Sequence, residues 1–204
     1  VLEMRIGCGT KETKTPLLTS AIKRMDVNPQ WIIPKSIVKQ SVVRHVGDSA
    51  YFASHHYFVR ERKSGKIVPP SAMTAAMLLS PDYMVAQEGG EGNSLGRIIF
   101  RFDNAFSVYL HDTSSRDFFA RANRGVSHGC VRVEKPFDLA LFLMADKSSP
   151  DVERIRYSMT ADVSMLGKAG RRGEGVPDTL NRRKLISTLK VEPRIPLFIT
   201  YYTL

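Results

Sequence analysis

Cysteine is scarce in this sequence, and the two that occur, Cys8 and Cys130, lie far apart in the chain. Two cysteines are too few for the disulfide framework of a small secreted domain or for a structural zinc site with four thiolate ligands. A disulfide between them stays open at this point, although it would leave no free thiol at Cys130. Cys8 lies in the apolar run MRIGCG, where a small buried thiol is common.

Long hydrophobic runs are also missing. No stretch of about 18 apolar residues is present, so we expect no membrane-spanning helix in this chain. The sequence has no internal repeat and no long segment of low complexity. Because it begins at Val1 rather than with a methionine, we expect it to be a piece of a longer chain.

Positive charge is in excess, with 30 Lys and Arg against 20 Asp and Glu. A net charge of +10 favours acidic partners such as nucleic acid, anionic lipid or an acidic cell-wall polymer. Part of the excess lies in the last third of the chain, at Arg171, Arg172, Arg182, Arg183 and Lys184. The charge is scattered, and no nucleic-acid-binding motif accompanies it, so we expect no nucleic acid partner.

Short β-rich runs bounded by Gly, Pro or Asn predict a mainly β fold with a few helices. A chain of 204 residues with 43% hydrophobic residues can bury the core of one domain. We expect strands in 1–9, 82–87, 96–102, 106–111 and 195–202. Apolar spacing and capping residues predict helices in 36–43, 134–145, 150–159 and 178–189.

Two regions interrupt this pattern. Residues 44–80 combine histidines and aromatic residues with an SGK turn and the run MTAAMLL, which predicts an inserted flap made of a hairpin and a helix. Residues 87–96, QEGGEGNSLG, are rich in glycine but lack the Lys-Ser/Thr pair of a phosphate-binding loop. We therefore interpret them as a turn.

The stretch GVSHGCVRV, residues 125–133, carries the strongest chemical signal. A cysteine acts as a nucleophile in its thiolate form and needs a nearby base, which His111 could supply from the end of the preceding strand-like run. Gly129 would let a substrate carbonyl approach the backbone. Two alternatives remain open from the residues alone: zinc held by His111, His128 and Cys130, or a buried cysteine with two structural histidines.

A family resemblance favours the first interpretation. Residues 95–133, LGRIIFRFDNAFSVYLHDTSSRDFFARANRGVSHGCVRV, closely resemble the catalytic domain of the L,D-transpeptidases, the YkuD family. The family pattern is a histidine followed by a polar residue, then Ser/Thr-His-Gly-Cys, a β-branched residue and an arginine. His111 matches its first part, and Ser127, His128, Gly129, Cys130, Val131 and Arg132 match the second.

The resemblance extends to a large, periplasmic subgroup of these enzymes. The segments of this sequence that resemble the subgroup are NPQWIIPKSI at 28–37, the preceding MRIG and TKTP, NSLG at 93–96 and the closing IPLFITYYT. Residues 158–192 match nothing in the family. QEGGEGN departs from a loop that contains proline in the subgroup.

The resemblance implies a β-sandwich-like catalytic domain over residues 1–204. It also implies a periplasmic location in the bacterial cell envelope. Residues 44–80 would cap its active site. Peptidoglycan stem peptides would be donor and acceptor, with no cofactor and no metal; the oligomeric state stays undetermined. Cys130 would attack a stem tetrapeptide between its third residue, a diamino acid, and the terminal D-alanine. Carbapenems should acylate the same thiol.

The acceptor then decides the reaction. Attack on the thioester by the side-chain amine of another stem would give a 3-3 cross-link, and attack by water would make the enzyme an L,D-carboxypeptidase. A basic module that grips the wall without catalysis is the alternative from another class. Products formed from a tetrapeptide, or labelling of Cys130 by an acylating probe, separate the three.

Roles for the motif residues follow from this chemistry. His111 is the expected base, with its ring oriented by the backbone carbonyl of Asp112, as the family implies. The N–H groups of Gly129 and Cys130, helped by the Tyr109 hydroxyl, are expected to hold the oxyanion.

The other motif residues are candidates for substrate binding and positioning. Tyr109 should face the same side of an extended strand as His111. We expect Ser127 to shape the turn and His128 to position substrate rather than act as a second base. Arg132 would bind either a substrate carboxylate or a protein carboxylate. Trp31 is expected to pack in the core or flap.

Overall fold

The computed structural model describes residues 1–163 and 180–201, in which eleven strands and five α-helices form. The strands are β1 (Ile6–Gly9), β2 (Leu18–Val27), β3 (Trp31–Ile32), β4 (Tyr57–Glu61), β5 (Ile67–Val68), β6 (Tyr83–Gln87), β7 (Ile98–Phe102), β8 (Leu110–His111), β9 (Gly125–Ser127), β10 (Val131–Val133) and β11 (Thr188–Ile199). The helices are α1 (Lys35–Gln40), α2 (Ser49–Ser54), α3 (Ala75–Leu79), α4 (Pro136–Leu143) and α5 (Asp151–Thr160). The predicted class, mainly β with a few helices, is confirmed. No helix in these ranges is long and apolar enough to cross a membrane.

Seven strands form one mixed sheet in the order β11-β2-β7-β8-β10-β1-β9, which we call the main sheet. Strands β11, β2, β7 and β8 pair in antiparallel fashion. Strands β8 and β10 run parallel, so the chain leaves the sheet after His111 and returns beside it. This crossover is the step that brings the end of the histidine strand next to the start of the cysteine strand.

The core of the main sheet follows from the alternation of side chains along its strands. Met25 of β2 and Phe100 of β7 are opposite each other and fully buried, and Ile155 of α5 joins the same cluster. Full burial of an apolar side chain of this size stabilises the fold by about 1.5 to 3 kcal/mol. The neighbouring positions, Arg24 and Arg101, point to the opposite face, which is left for polar chemistry.

A second sheet, in the order β3-β6-β4-β5, carries α1, α2 and α3 within residues 31–87. We call this part the second subdomain. The expected hairpin is β4–β5, closed around the SGK turn with Gly65 at φ 72°, and the expected helix is α3. The predicted flap, 44–80, is thus part of a larger unit that begins at Trp31, which packs against its core. That core contains Ile33, Val38, Val42, Phe52, Val59, Met73, Leu78 and Val85.

The Lys35 side chain links three elements of the second subdomain by hydrogen bonds. Its Nζ donates hydrogen bonds to the carbonyl oxygens of Leu78, Ser80 and Tyr83, at 2.8, 2.7 and 3.0 Å. These acceptors lie at the end of α3 and the start of β6, so one cation joins three elements. Burial, with a smaller contribution from Arg62, lowers the pKa of Lys35.

Several expectations about elements are wrong in detail. The predicted helix over 178–189 is absent from its described part, residues 180–189, where a short 3-10 turn at Arg182–Lys184 leads into β11. Residues 178 and 179 lie outside the described residues. The strand expected over 106–111 is reduced to β8, because the Asn104 side chain binds the backbone of Phe102, Phe106 and Val108 and folds that segment into a loop.

The cysteines also differ from one expectation. Cys8 lies on β1 as predicted but is partly exposed rather than buried, and it lines a cavity of about 500 Å³. Both cysteines are free thiols, so the disulfide left open by the sequence does not form. Residues 88–97 contain no helix or strand, in agreement with a turn.

Candidate active site

The register of neighbouring strands brings four motif residues to one face of the main sheet. In the parallel pair β8–β10, Leu110 lies opposite Val131 and His111 lies opposite Arg132. The Val131 N–H donates to the Tyr109 carbonyl at 3.1 Å, which sets Tyr109 beside Cys130. Because side chains alternate along both strands, Tyr109, His111, Cys130 and Arg132 share the face opposite the core. The Tyr109 and His111 rings meet edge to face with centroids 5.8 Å apart.

The turn before Cys130 is held by side-chain hydrogen bonds. The Ser127 hydroxyl donates to the Cys130 carbonyl at 2.6 Å and accepts from the Gly129 N–H at 3.1 Å. The Ser127 carbonyl in turn accepts from the Thr13 hydroxyl at 2.8 Å. Gly129 has φ 115°, a conformation that residues with a Cβ rarely adopt. The sequence Ser-x-Gly-Cys therefore folds as a tight turn that presents Cys130.

His111 is buried and its ring has one defined orientation. Its Nδ1 hydrogen-bonds to the Asp112 carbonyl at 2.5 Å, as the resemblance implies, and a carbonyl can only accept. Nδ1 therefore carries the proton, and Nε2 of the neutral ring bears the lone pair; a Leu95 backbone group also interacts with the ring. Only 4% of His111 is exposed, and this burial lowers its pKa to about 4. The Asp112 carbonyl opposes that shift, and the nearby Arg132 adds to it.

Asp112 is held in place by its side chain. One carboxylate oxygen accepts from the Arg97 backbone N–H at 2.8 Å, and the other accepts from the Arg116 guanidinium at 3.2 Å. Gly96, at φ 64°, passes so close that a Cβ there would lie 2.5 Å from the Asp112 side chain. Sequence reasoning missed these supporting residues, although NSLG and the spacing of Asp112 to Arg116 were available signals.

Cys130 is partly buried and its thiol is the protonated form at neutral pH. Burial raises the pKa of this thiol, whereas a hydrogen bond from the Tyr109 backbone and the charge of Arg132 lower it less strongly. Burial likewise raises the pKa of the Tyr109 hydroxyl to about 12. The site thus holds a neutral thiol, a neutral imidazole and a neutral phenol beside the guanidinium of Arg132.

Arg132 is the charged member of the group. Its guanidinium stacks over Phe118 at 5.4 Å, and its buried Nε has no hydrogen-bond partner among the described residues. No carboxylate within residues 1–163 and 180–201 forms a salt bridge with it. Of the two partners expected for Arg132, a protein carboxylate is therefore not found in this part of the chain.

The other expected site residues lie as follows. The Gly129 N–H is used by Ser127, so only the Cys130 N–H and the Tyr109 hydroxyl remain for an oxyanion. The Ser127 hydroxyl is likewise used inside the turn. His128 is exposed, and the described residues contain no group of three His, Cys, Asp or Glu able to hold a metal ion. A zinc site at His111, His128 and Cys130 is therefore not formed.

Comparison with known proteins identifies the family of this chain. The sequence model of the L,D-transpeptidase catalytic domain, YkuD, matches residues 1–153. This chain belongs to that family. A protein of Haemophilus influenzae (strain ATCC 51907 / DSM 11121 / KW20 / Rd) named "Putative L,D-transpeptidase" is 32% identical over 147 residues, which cover 72% of this chain. The match spans 30% of that relative's length.

Proposed function

We propose that this domain is a peptidoglycan L,D-transpeptidase that forms 3-3 cross-links through a thioester on Cys130. The observation that carries the proposal is the placement of Cys130 and His111 on one face of two neighbouring parallel strands, with the His111 tautomer set by Asp112. This arrangement leaves Nε2 as the basic atom of a neutral imidazole on the same face of the sheet as the Cys130 thiol. A location in the bacterial cell envelope, on its periplasmic side, fits such a substrate.

The first half of the reaction acylates the enzyme. As the Cys130 Sγ attacks the carbonyl of the third stem residue, its proton passes to the His111 Nε2. The charge that develops on the carbonyl oxygen is stabilised by the Cys130 N–H and the Tyr109 hydroxyl. The C–N bond to D-alanine then breaks, the proton goes to the leaving amine, and a thioester remains.

The second half transfers the acyl group. The side-chain amine of an acceptor stem attacks the thioester carbonyl, the C–S bond breaks, and a proton from the amine returns through His111 to Sγ. Because the resting pair is neutral, no ion pair between thiolate and imidazolium has to be held in the free enzyme. Arg132 lies beside both groups without a protein carboxylate, so it is placed to bind the carboxylate of the terminal D-alanine.

We propose that the second subdomain covers this cleft. It connects to the site through the loop at 88–96: the Glu88 N–H donates to the His56 carbonyl at 3.0 Å, and Gln87 binds the carbonyls of His55 and Gly92. The far end of that loop is Gly96, which lies against Asp112. A shift of the second subdomain would thus reach the residue that orients His111.

Incubation with a disaccharide-tetrapeptide tests the proposed reaction. We expect free D-alanine and a cross-linked dimer by mass spectrometry, and neither product from Cys130→Ala. A tripeptide without dimer would identify an L,D-carboxypeptidase. D-alanine release by Cys130→Ala would refute the covalent mechanism, and no turnover by the natural sequence would leave the non-catalytic wall-binding module. The Cys8→Ala variant, which keeps the site intact, is the matched control.

A further inference from the structure

A row of side chains leads across the main sheet from Cys130 to two arginines. Strand register sets Arg24 of β2 opposite Arg101 of β7. The β7–β8 register, with Phe100 opposite Leu110, sets Arg101 opposite Tyr109, which is beside Cys130. Residues directly opposite each other point to the same face of a sheet. At a strand spacing of about 4.8 Å, the Arg101 backbone stands about 10 Å from that of Cys130.

The two arginines are only partly compensated by the protein. Like charges placed directly opposite on neighbouring strands destabilise a sheet. One carboxylate, Asp26, pairs with both arginines: it accepts a hydrogen bond from the Arg101 Nε–H and forms an ion pair with the Arg24 Nε at 3.2 Å. One negative charge against two leaves a surplus positive charge. The terminal nitrogens of both guanidinium groups make no hydrogen bond to any described residue.

These arginines line a cavity of about 320 Å³, which is large enough for part of a peptide. Its wall also includes Tyr109, Asn104 and Ser107, and Lys23, which pairs with Asp103. The Arg101 guanidinium lies over the Tyr109 ring at 5.5 Å. Because Tyr109 in turn meets His111, a ligand bound at Arg101 would be continuous with the catalytic groups.

We propose that Arg101, together with Arg24, binds a carboxylate of the donor stem peptide on the N-terminal side of the scissile bond. The inference rests on the proposed function. An extended peptide spans at most about 3.3 to 3.6 Å per residue, so about 10 Å corresponds to about three residues. The leaving side holds only D-alanine, whose carboxylate the proposed function assigns to Arg132. The carboxylate must therefore come from the retained part of the donor.

Two matched donors test this subsite. One is the stem tetrapeptide, and the other is the same peptide with every carboxylate on the N-terminal side of the scissile bond converted to a carboxamide. We expect the natural sequence to prefer the acidic donor on the order of 10- to 100-fold in kcat/KM, as charge-assisted hydrogen bonds predict, mostly through KM. Arg101→Gln should lose this preference: its kcat/KM should fall for the acidic donor and stay unchanged for the carboxamide donor. Arg101→Lys should retain part of it.

Arg156→Gln is the control, since it removes one positive charge from an exposed position on α5, away from the cavity. It should keep the full preference. Equal use of both donors by the natural sequence, or an unchanged preference in Arg101→Gln, would overturn the subsite and leave the proposed function standing. No turnover of either donor would overturn both. If Arg101→Gln does not fold, Arg24→Gln, whose side chain is 46% exposed, replaces it.

Discussion

Burial of His111 should make the stability of this domain depend on pH in a way that one substitution removes. The native state lowers the pKa of His111 from its ordinary 6.5 to about 4, chiefly because the ring is buried. Between these two values the unfolded chain binds a proton that the native chain does not. Stability is therefore complete above pH 6.5 and is lost as the pH falls towards 4.

The size of the effect follows from the same two values. Each pH unit in which only the unfolded state is protonated costs about 1.4 kcal/mol, so the loss from pH 6.5 to about 4 is about 3 kcal/mol. His111→Asn keeps an N–H that can reach the Asp112 carbonyl but cannot take up a proton. Its overall stability will differ from that of the natural sequence, and only the pH dependence of this difference matters.

Urea denaturation at several pH values between 4 and 7.5 measures this quantity. Both proteins lose some free energy of unfolding as the pH falls. The loss for the natural sequence should exceed the loss for His111→Asn by about 3 kcal/mol over this range. Both proteins carry the same carboxylates, so the difference between the two curves isolates the contribution of His111. His128→Asn, at the exposed histidine of the motif, should keep the dependence of the natural sequence. Parallel curves for the natural sequence and His111→Asn would refute the reasoning.

Two further predictions concern the second subdomain. Lys35→Met removes a cation bound by three carbonyls and should lower the free energy of unfolding by about 2 to 4 kcal/mol. The control Lys39→Met, at an exposed position on the same helix, should change it little. Equal melting temperatures for the two variants would contradict this. If this subdomain covers the cleft, binding of the tetrapeptide to Cys130→Ala should slow amide hydrogen exchange in residues 44–80 but not in β11. Unchanged exchange there would reduce the subdomain to packing.

The turn that carries Cys130 could be predicted because its signal is local in sequence. The turn from Ser127 to Cys130 needs a hydroxyl and a glycine at positive φ within four consecutive positions, and the structure uses both. The relation of Cys130 to His111 needed one further assumption, that the intervening chain returns beside the strand it left. The parallel pairing of β8 and β10 shows that this assumption holds.

The edges of the main sheet were harder to predict because long-range pairing decides them. Strand β2 carries Lys23, Arg24 and Asp26 among its apolar residues, so its sequence resembles an exposed loop although it is paired on both sides. The start of β11 was expected to be helical, since the segment from 178 has a capping aspartate and helical apolar spacing. Its pairing with β2, with Thr188 opposite Asp26, outweighs that local preference.

The second subdomain shows a different limit of sequence reasoning. Its aromatic and histidine residues predicted only an inserted flap over residues 44–80, which the resemblance would place over the active site. The structure instead gives it a hydrophobic core of its own and the Lys35 hydrogen bonds. If it closes over substrate, it should therefore move as a body about its connections near Trp31 and Gln87, rather than by local unfolding.

Strand β2 also explains why the proposed carboxylate subsite could not be seen in the sequence. Arg24 and Arg101 belong to separate strands, and each is an ordinary surface arginine until the register sets them opposite each other. An arrangement chosen for stability alone would place an opposite charge across from Arg101, and Asp26 lies two residues further along the same strand as Arg24. The like-charged pair lies instead in the row that contains Tyr109 and Cys130. A bound carboxylate would offset the repulsion at the moment when the peptide is positioned for attack, so affinity and orientation would arise from the same contact.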